Sequence, residues 1–244
     1  GTLNYGVRVL MGNNTGNDKH LFEQIDVRGY KKSGFLMEGT NSKSNTFVGC
    51  NLDGRGTSLE TYAESGVSTV CLSSTSCVWQ YSAAFSWLGG SMVGHRVADF
   101  VLGGQMDAVH ISDVHSEKSR MFLLKFHNAE NYAFPLSIES IDFDQRNAFV
   151  PSWWTNEKYR GAIVYTQQKG PLVMIGNTLG ARAIVLQGES TLNNIGICFQ
   201  RLPTASPNNL SGTFVFTGNT IATTRANPFS FSAEGLDCQY PTTQ

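Results

Sequence analysis

Four residues combine the side-chain types and the spacing that acid–base chemistry requires. His115 and Glu117 lie two residues apart, and Asp142 and Asp144 repeat that spacing further along the chain. On neighbouring outward-facing strands, His115 would lie beside Asp142 and Glu117 beside Asp144, because alternate strand residues share a face. Two carboxylates held close together raise the pKa of one of them, which makes an acid and a base from similar groups. The predicted catalytic residues are therefore these four, with His115 as an oriented general base or acid.

The separation of the carboxylates bears on the reaction that they could carry out. Stacked strands lie about 4.8 Å apart. Carboxylates on neighbouring strands would therefore lie nearer the roughly 5 Å spacing of retaining glycosidases than the wider spacing of inverting enzymes. The alternative interpretation is that outward strand positions are polar for solubility alone, and that opposite charges pair across strands without any catalytic role.

Sugar-binding side chains are expected near the same place. Charged residues close in sequence to the predicted catalytic residues suit an acidic sugar, and aromatic rings on the loop 145–161 suit stacking on sugar rings. The alternative is that the tryptophans of this loop pack against the wall of the domain. The predicted substrate-binding residues are Arg120, Glu139, Arg146, Trp153, Trp154 and Tyr159.

A repeated six-residue frame supplies the strands that would position these residues. Its clearest copies, residues 174–179 and 216–221, each read as a large apolar residue, an outward residue, Gly, Asn, an outward residue and an aliphatic residue. A self-similar unit of this kind predicts stacked repeats. We expect two coils between 174 and 216, and a degenerate copy near residues 195–199. The other copies begin at residues 22, 47, 87, 111 and 138, the one at 111 with Ser116 in place of the final aliphatic residue.

The Gly-Asn pair inside the frame predicts a corner. The two apolar residues of the frame are five positions apart, so an unbroken strand would point them to opposite faces. Both can face inward only if the chain bends between them. Gly adopts positive φ freely and Asn tolerates the left-handed conformation. We therefore expect corners at Gly176-Asn177 and Gly218-Asn219, with the Asn side chains stacked in a hydrogen-bonded ladder.

Each frame copy is followed by a second apolar run, which predicts a third strand in each coil. Three insertions interrupt this pattern, and loops of such length in a compact fold are often functional. The insertions at 53–66 and 145–161 leave from the same corner and could wall a groove over His115 and Glu117, whereas the one at 73–85 leaves from another corner. The predicted second runs are residues 34–37, 68–72, 98–102, 121–124, 162–165, 183–186 and 228–231.

With this coil pattern and these Gly-Asn corners, the chain from about residue 20 to residue 232 resembles a right-handed, single-stranded parallel β-helix of the pectate lyase-like superfamily, as found in bacteriophage tailspike and polysaccharide depolymerase domains. The resemblance implies an all-β solenoid of about eight coils. It does not imply one activity, because this fold hosts lyases, hydrolases, adhesins and inert shafts. Motifs of polygalacturonase-like hydrolases are incomplete here: Gly176-Asn177-Thr178-Leu179 lacks the Asp, and Val93-Gly94-His95-Arg96 lacks the second Gly. His95 is therefore expected to be a turn histidine.

Composition narrows the classes of partner and compartment. A net charge of −1 argues against a nucleic-acid partner, because such binding usually needs a basic face. Charged residues make up only 15% of the chain, which favours an extracellular or virion-surface protein. No apolar run approaches the roughly 20 residues that a membrane-inserted helix needs. Five cysteines without close Cys-x-x-Cys spacing predict buried thiols, with a Cys71–Cys77 loop disulfide left open, and neither a metal nor a cofactor.

The pattern predicts three segments and two candidate functions. Residues 1–20 are expected to form an edge strand or partial first coil, residues 21–232 the parallel β-helix, and residues 233–244 a tail or the start of a further module. The first candidate is a homotrimeric extracellular domain that binds polysaccharide and degrades it as a glycoside hydrolase or lyase in a surface groove. The second is a non-catalytic structural or adhesion module, which flat insertions without a groove would favour.

Overall fold

The chain folds into an all-β structure, as predicted. The computed structural model describes residues 3–10, 19–38, 42–57, 61–69, 83–103, 108–125, 135–145, 164–168, 171–181, 197–201, 214–222 and 229–232. Nearly all regular structure in these ranges is strand. Across the same ranges, no helix has the length and apolar character needed to cross a membrane.

The strands, numbered along the chain, form three parallel sheets that we call A, B and C. Sheet A contains β1 (Tyr5–Leu10), β4 (Ser33–Glu38), β7 (Ala63–Ser68), β10 (His95–Leu102), β13 (Leu123–Lys125), β16 (Val164–Gln168), β19 (Ile197–Arg201) and β22 (Phe229–Ser232). Sheet B contains β2 (Leu21–Glu23), β5 (Ser42–Val48), β8 (Ala83–Leu88), β11 (Val109–Ser112), β14 (Leu136–Glu139), β17 (Leu172–Ile175) and β20 (Phe214–Thr217). Sheet C contains β3 (Asp26–Arg28), β6 (Asn51–Asp53), β9 (Ser91–Val93), β12 (His115–Glu117), β15 (Asp142–Gln145), β18 (Thr178–Ala181) and β21 (Thr220–Ala222).

Each strand pairs in parallel with the strand three places further along the chain. Three consecutive strands, one each from sheets B, C and A, therefore make one layer, which we call a rung. The strands described here form rungs 1 (β2–β4) to 7 (β20–β22), preceded by β1. Stacked layers of this kind are consistent with a β-helix solenoid, and each frame copy spans the passage from sheet B to sheet C, as the sequence pattern predicts.

Two expectations about the later rungs are wrong. β17 pairs directly with β20, with Leu172 opposite Phe214, so rung 7 lies on rung 6 and the interval from 174 to 216 holds one layer rather than two. The expected degenerate frame copy near 195–199 coincides with β19, which lies in sheet A between β16 and β22. Apolar alternation alone cannot distinguish the sheets, because inward residues of all three sheets alternate in the same way.

The second apolar runs mark sheet A in most rungs but not in rung 2. There the strand is β7, which precedes the predicted run 68–72, so the first insertion ends several residues before residue 66. Its sequence reads as polar, yet every residue is buried. The hydroxyl groups of Ser33 and Ser65 hydrogen-bond over 2.8 Å, and Glu64 Oε1 lies 3.0 Å from Arg96 Nη2. The predicted run 183–186 and most of the insertions 73–85 and 145–161 lie outside the described residues.

All seven frame copies bend through a left-handed residue at the third position, which confirms the predicted corner. Gly fills this position in rungs 2, 3, 6 and 7. Gln24, Asp113 and Ser140 fill it in rungs 1, 4 and 5, with φ values of 52°, 57° and 53°. A side chain in this conformation costs about 1 kcal/mol or more. Rungs 4 and 5, which carry the predicted catalytic residues, thus have strained corners.

The predicted asparagine ladder is present between rungs 6 and 7, and Asn177 also bonds to the backbone of rung 5. Asn177 Nδ2 donates to Asn219 Oδ1 over 2.7 Å and to the carbonyl of Ile138 over 2.9 Å. Asn177 Oδ1 accepts from the backbone N–H of Ile141 over 2.9 Å, and Asn219 Nδ2 donates to the carbonyl of Met174 over 2.8 Å. Because Asn177 is buried, its amide satisfies backbone groups that the corners would otherwise leave unpaired.

The core fills the space between the three sheets with stacked apolar side chains. Phe22, Phe47 and Trp87 occupy the first frame position of rungs 1–3 and stack, with ring centroids 4.8 and 4.9 Å apart. Phe35 of sheet A meets Phe47 edge-on at 5.2 Å. Rung-to-rung contact of identical frame positions therefore fixes the layers in register, and with them the outward residues of sheet C.

Replacing Gln24 with Gly is expected to stabilise the protein by about 1 kcal/mol, because Gly adopts the left-handed φ of this corner without a Cβ penalty. Thermal or urea unfolding measures the change. The control is Thr46→Gly on the neighbouring strand β5, where Gly only adds flexibility and should lower stability by roughly 0.5–1 kcal/mol. A loss of stability in Gln24→Gly would contradict the corner geometry.

Candidate functional site

The predicted catalytic residues lie together on the outward face of sheet C. β12 pairs with β15, with His115 opposite Asp142 and Glu117 opposite Asp144. This register is the one that the frame predicts. His115 Nδ1 lies 3.0 Å from Asp142 Oδ2, and the two side chains are 55% and 64% exposed. The pair is therefore open to solvent and to a large ligand.

The His115–Asp142 contact orients the imidazole ring. With Nδ1 engaged by the carboxylate, Nε2 lies on the far side of the ring and can exchange a proton with a ligand. An ion pair this exposed adds little to folding stability. The arrangement is thus better suited to chemistry or recognition than to holding the fold together.

Glu117 lies at the end of β12 beside a bend of the chain. Its Oε1 is 3.4 Å from Lys118 Nζ. Lys118 has a φ of 60°, which turns the chain out of sheet C, and its backbone N–H donates to the carbonyl of Asp144 over 3.2 Å. The ammonium group of Lys118 therefore offers a cation next to the carboxylate of Glu117.

A second cation stands at the same edge of sheet C. Arg55 makes a two-point contact with Asp53, with Nε 2.9 Å from Oδ1 and Nη2 2.6 Å from Oδ2. Burial alone would raise the pKa of Asp53, but hydrogen bonds and charge from Arg55, with a contribution from Arg28, hold that pKa below its usual value. The pKa of Arg55 is raised, mainly by Asp53 and in smaller part by the charge of Glu117. This edge of sheet C thus carries two charge pairs, Asp53–Arg55 in rung 2 and Glu117–Lys118 in rung 4.

A second histidine–carboxylate pair lies around the corner, on sheet B of the same two rungs. His110 Nδ1 is 3.8 Å from Glu139 Oε1, and the hydroxyl of Ser137 donates to Glu139. Sequence reasoning missed His110. Extending the frame by one residue towards its N-terminus would have placed His110 opposite Ser137. Glu139, a predicted substrate-binding residue, is therefore on a different face from His115.

The remaining predicted substrate-binding residues are not brought to this face by the described part of the chain. Arg120 is only 2% exposed, because it follows β12 into the interior at the start of the sheet A segment of rung 4. This burial corrects the expectation of a surface position for Arg120. Arg146, Trp153, Trp154 and Tyr159 lie outside the described residues.

The first insertion lies flat where it is described. A Cβ placed on Gly94 would be 2.5 Å from Arg55 Cγ and 3.1 Å from Tyr62 Cε2. The stem of Arg55 and the ring of Tyr62 therefore cover the corner of rung 3 and do not stand away from it. The insertion 145–161, the other expected wall of a groove, falls outside the described ranges apart from its first residue.

His95 is not the turn residue that the sequence suggests. It begins β10, is completely buried, and joins a polar network inside the fold. The hydroxyl of Tyr30 lies 2.6 Å from His95 Nε2, His95 Nδ1 lies 2.6 Å from Asp99 Oδ1, and Ser116 donates to the other oxygen of Asp99. Burial first, and then the charges of Asp99 and Asp53, raise the pKa of Tyr30 well above its usual value, so the phenol stays protonated.

This network has the hydroxyl–imidazole–carboxylate order of a catalytic triad. Tyr30 is 3% exposed and both His95 and Asp99 are 0% exposed, so no substrate reaches them. The network is therefore structural. Sequence reasoning missed Tyr30 and Asp99, and the one signal for them was Ser116, which breaks the aliphatic pattern of the frame.

The described part of the chain contains a free cysteine and no metal-binding cluster. Cys50 is a buried free thiol, as predicted, and burial raises its pKa. In the ranges that the structure describes, no group of three or more His, Cys, Asp and Glu side chains could hold a metal ion.

No protein-family model, no curated protein and no solved structure matches the chain, so its function must be argued from the geometry of the site.

Proposed function

We propose that this chain is a right-handed parallel β-helix domain of the tailspike type, which binds an extracellular polysaccharide on sheet C and cleaves it. The observation that carries the proposal is the exposed His115–Asp142 pair, with Glu117 opposite Asp144 on the same two strands. Imidazole and carboxylate groups in contact on an open face are the groups that acid–base catalysis uses. The domain is proposed to act as a homotrimer on a virion or cell exterior.

Two reactions are open to these groups. In hydrolysis, one carboxyl group gives a proton to the glycosidic oxygen, the bond from that oxygen to the sugar carbon breaks, and water adds to the carbon, while a carboxylate on the neighbouring strand supports the developing charge on the sugar. In elimination, His115 Nε2 removes the proton next to the carboxylate of an acidic sugar, and the glycosidic oxygen leaves with the bonding electrons. Hydrolysis creates new reducing ends, and elimination also creates unsaturated sugars, so the products identify the reaction.

A polysaccharide ligand is supported by the polar line that runs along sheet C. Asn51 Nδ2 donates to Asp26 Oδ1 over 2.7 Å, and Ser91 Oγ donates to Asn51 Oδ1 over 2.9 Å. His115 and Asp142 continue the same column in rungs 4 and 5. Amide, hydroxyl and carboxylate groups thus recur every rung, at intervals of about 4.8 Å. A long ligand that repeats its own hydroxyl groups can use such a surface at many points.

Incubation with a panel of bacterial capsular and lipopolysaccharide O-antigen glycans tests the proposal. We expect at least one glycan to bind and to yield new reducing ends or unsaturated products. Acidic glycans are the first choice, because Lys118 and Arg55 stand beside the site. Absence of both binding and cleavage across the panel would contradict the proposed function.

A second candidate function is a non-catalytic structural or adhesion module. The flat packing of Arg55 and Tyr62 over Gly94 favours it, because these described residues of one expected groove wall lie against the corner of rung 3. Glycan binding without any product, or an inert domain of trimeric mass, would support this candidate. A monomer in solution would weaken the tailspike assignment while leaving the three-sheet fold unaffected.

A further inference from the structure

The strand that carries the candidate site differs from its counterparts on its inward side. In six of the seven frame copies the inward residue of the sheet C strand is apolar, whereas β12 has Ser116 between His115 and Glu117. Ser116 is completely buried. A buried hydroxyl is costly unless it is hydrogen-bonded, so the hydroxyl of Ser116 needs a hydrogen-bond partner. The six apolar residues are Val27, Leu52, Met92, Phe143, Leu179 and Ile221.

That partner is the buried carboxylate of Asp99. Ser116 Oγ donates to one oxygen of Asp99, and the Nδ1 side of the His95 ring meets the other oxygen over 2.6 Å. Asp99 is itself completely buried. An unpaired carboxylate there would be strongly unfavourable, so Asp99 holds both of its partners firmly.

The same network also fixes the chain beyond the end of β12. The backbone N–H of His95 donates to Ser119 Oγ over 3.1 Å, and the backbone N–H of Arg120 donates to the carbonyl of His95 over 2.9 Å. The hydroxyl of Tyr30, from rung 1, is hydrogen-bonded to Nε2 on the opposite side of the His95 ring. β12 is therefore tied to β10 at its centre by Ser116 and just after its end by Ser119.

We infer that Asp99, with His95 behind it, is a positioning residue that acts through Ser116 to orient His115 and Glu117 on the outer face. The two outward residues flank Ser116, so a fixed Ser116 side chain fixes the backbone torsions from which both project. Apolar contacts, which serve the other rungs, are not directional, whereas a hydrogen bond to a carboxylate is. The link to catalysis rests on the proposed function, and the orientation of His115 does not.

The test compares Ser116→Ala with the wild-type domain by NMR of the five histidine imidazoles, each assigned by replacing it with Gln. We expect the signals of His115 to shift and broaden in Ser116→Ala, because the strand loses its directional tie. Those of His110, on sheet B of the same rung, should stay in place. Ser116→Thr keeps the hydroxyl and should restore the wild-type signals of His115.

A control separates positioning from general stability. Leu52→Ala removes buried volume at the same frame position of rung 2 and lowers stability, but it should leave the His115 signals unchanged. Unchanged His115 signals in folded Ser116→Ala would overturn the inference. If Ser116→Ala does not fold, Ser116→Cys keeps the volume with a much weaker donor, and the same contrast between His115 and His110 is required of it.

Enzyme kinetics of Ser116→Ala provide a second test of the positioning role. On a glycan that the domain cleaves, kcat of Ser116→Ala should fall about tenfold with KM nearly unchanged, because misplaced catalytic groups lower the rate of the chemical step. An unchanged kcat would overturn the positioning role. If no glycan is cleaved, the proposed function fails, but the NMR comparison still decides whether Asp99 and Ser116 orient His115.

Discussion

Glu117→Gln is expected to leave the domain folded and to lower its turnover of glycan about a hundredfold or more, the usual scale for losing a general acid or base. The substitution keeps the shape of the side chain and removes one charge from a partly exposed site on β12. Stability should therefore change by no more than about 0.5 kcal/mol, as for most surface substitutions. Initial rates of product formation, together with thermal unfolding of the same samples, measure both effects.

Two further variants make this result specific. His115→Gln should cause a loss of similar size, because it removes the imidazole that Asp142 orients. Glu23→Gln removes an exposed carboxylate from sheet B of rung 1, away from the site, and should leave turnover unchanged. Wild-type rates in Glu117→Gln and His115→Gln would show that these residues are only a polar surface, whatever the domain binds.

Gly90→Ala is expected to have the largest effect on folding, a loss of about 3–5 kcal/mol or failure to fold. Gly90 has a φ of 87°, and a Cβ on it would lie 2.0 Å from the carbonyl oxygen of Cys50 in the rung below. That carbonyl accepts the backbone N–H of Ser91 over 3.2 Å. A methyl group there must push rung 3 away from rung 2 and break the pairing of sheet C.

Gly176→Ala is the matched control for this prediction. Gly176 also has a left-handed φ, of 65°, but the nearest atom to an added Cβ is Ser140 Oγ at 4.0 Å. Only the left-handed penalty applies, so the expected loss is about 1–2 kcal/mol. Urea unfolding followed by circular dichroism compares the two variants. Equal losses would mean that the close contact between Gly90 and Cys50 does not limit the fold.

The residue types within each six-residue frame were sufficient to predict the bend between sheet B and sheet C in every rung. The apolar residues at positions one and six can both face inward only across a bend, and Gly176 and Gly218 allow that bend. Aligning the copies then places His115 opposite Asp142 without any structure. These features are readable because bend and alternation depend on residues that are neighbours in sequence.

Sheet A was less predictable because its inward polar residues are satisfied by other rungs. The sequence of β7 resembles that of a loop, but Ser65 hydrogen-bonds to Ser33 and Glu64 to Arg96, each more than 30 residues away. The length of the interval between frame copies was equally misleading, since the pairing of β17 with β20 leaves one layer where two were expected. Chain length between strands does not report how many layers they are apart.

The sequence by itself determined the all-β class, the corners, the asparagine ladder and the outward pairing of His115 with Asp142, because each follows from local backbone preference and a repeating pattern. Only the tertiary structure decided that His95 is buried and that Arg120 turns inward. It alone joined Tyr30, Asp99 and Ser116 through the His95 ring. Those residues lie in rungs 1, 3 and 4, and a buried polar group is stable only where partners from distant rungs converge on it.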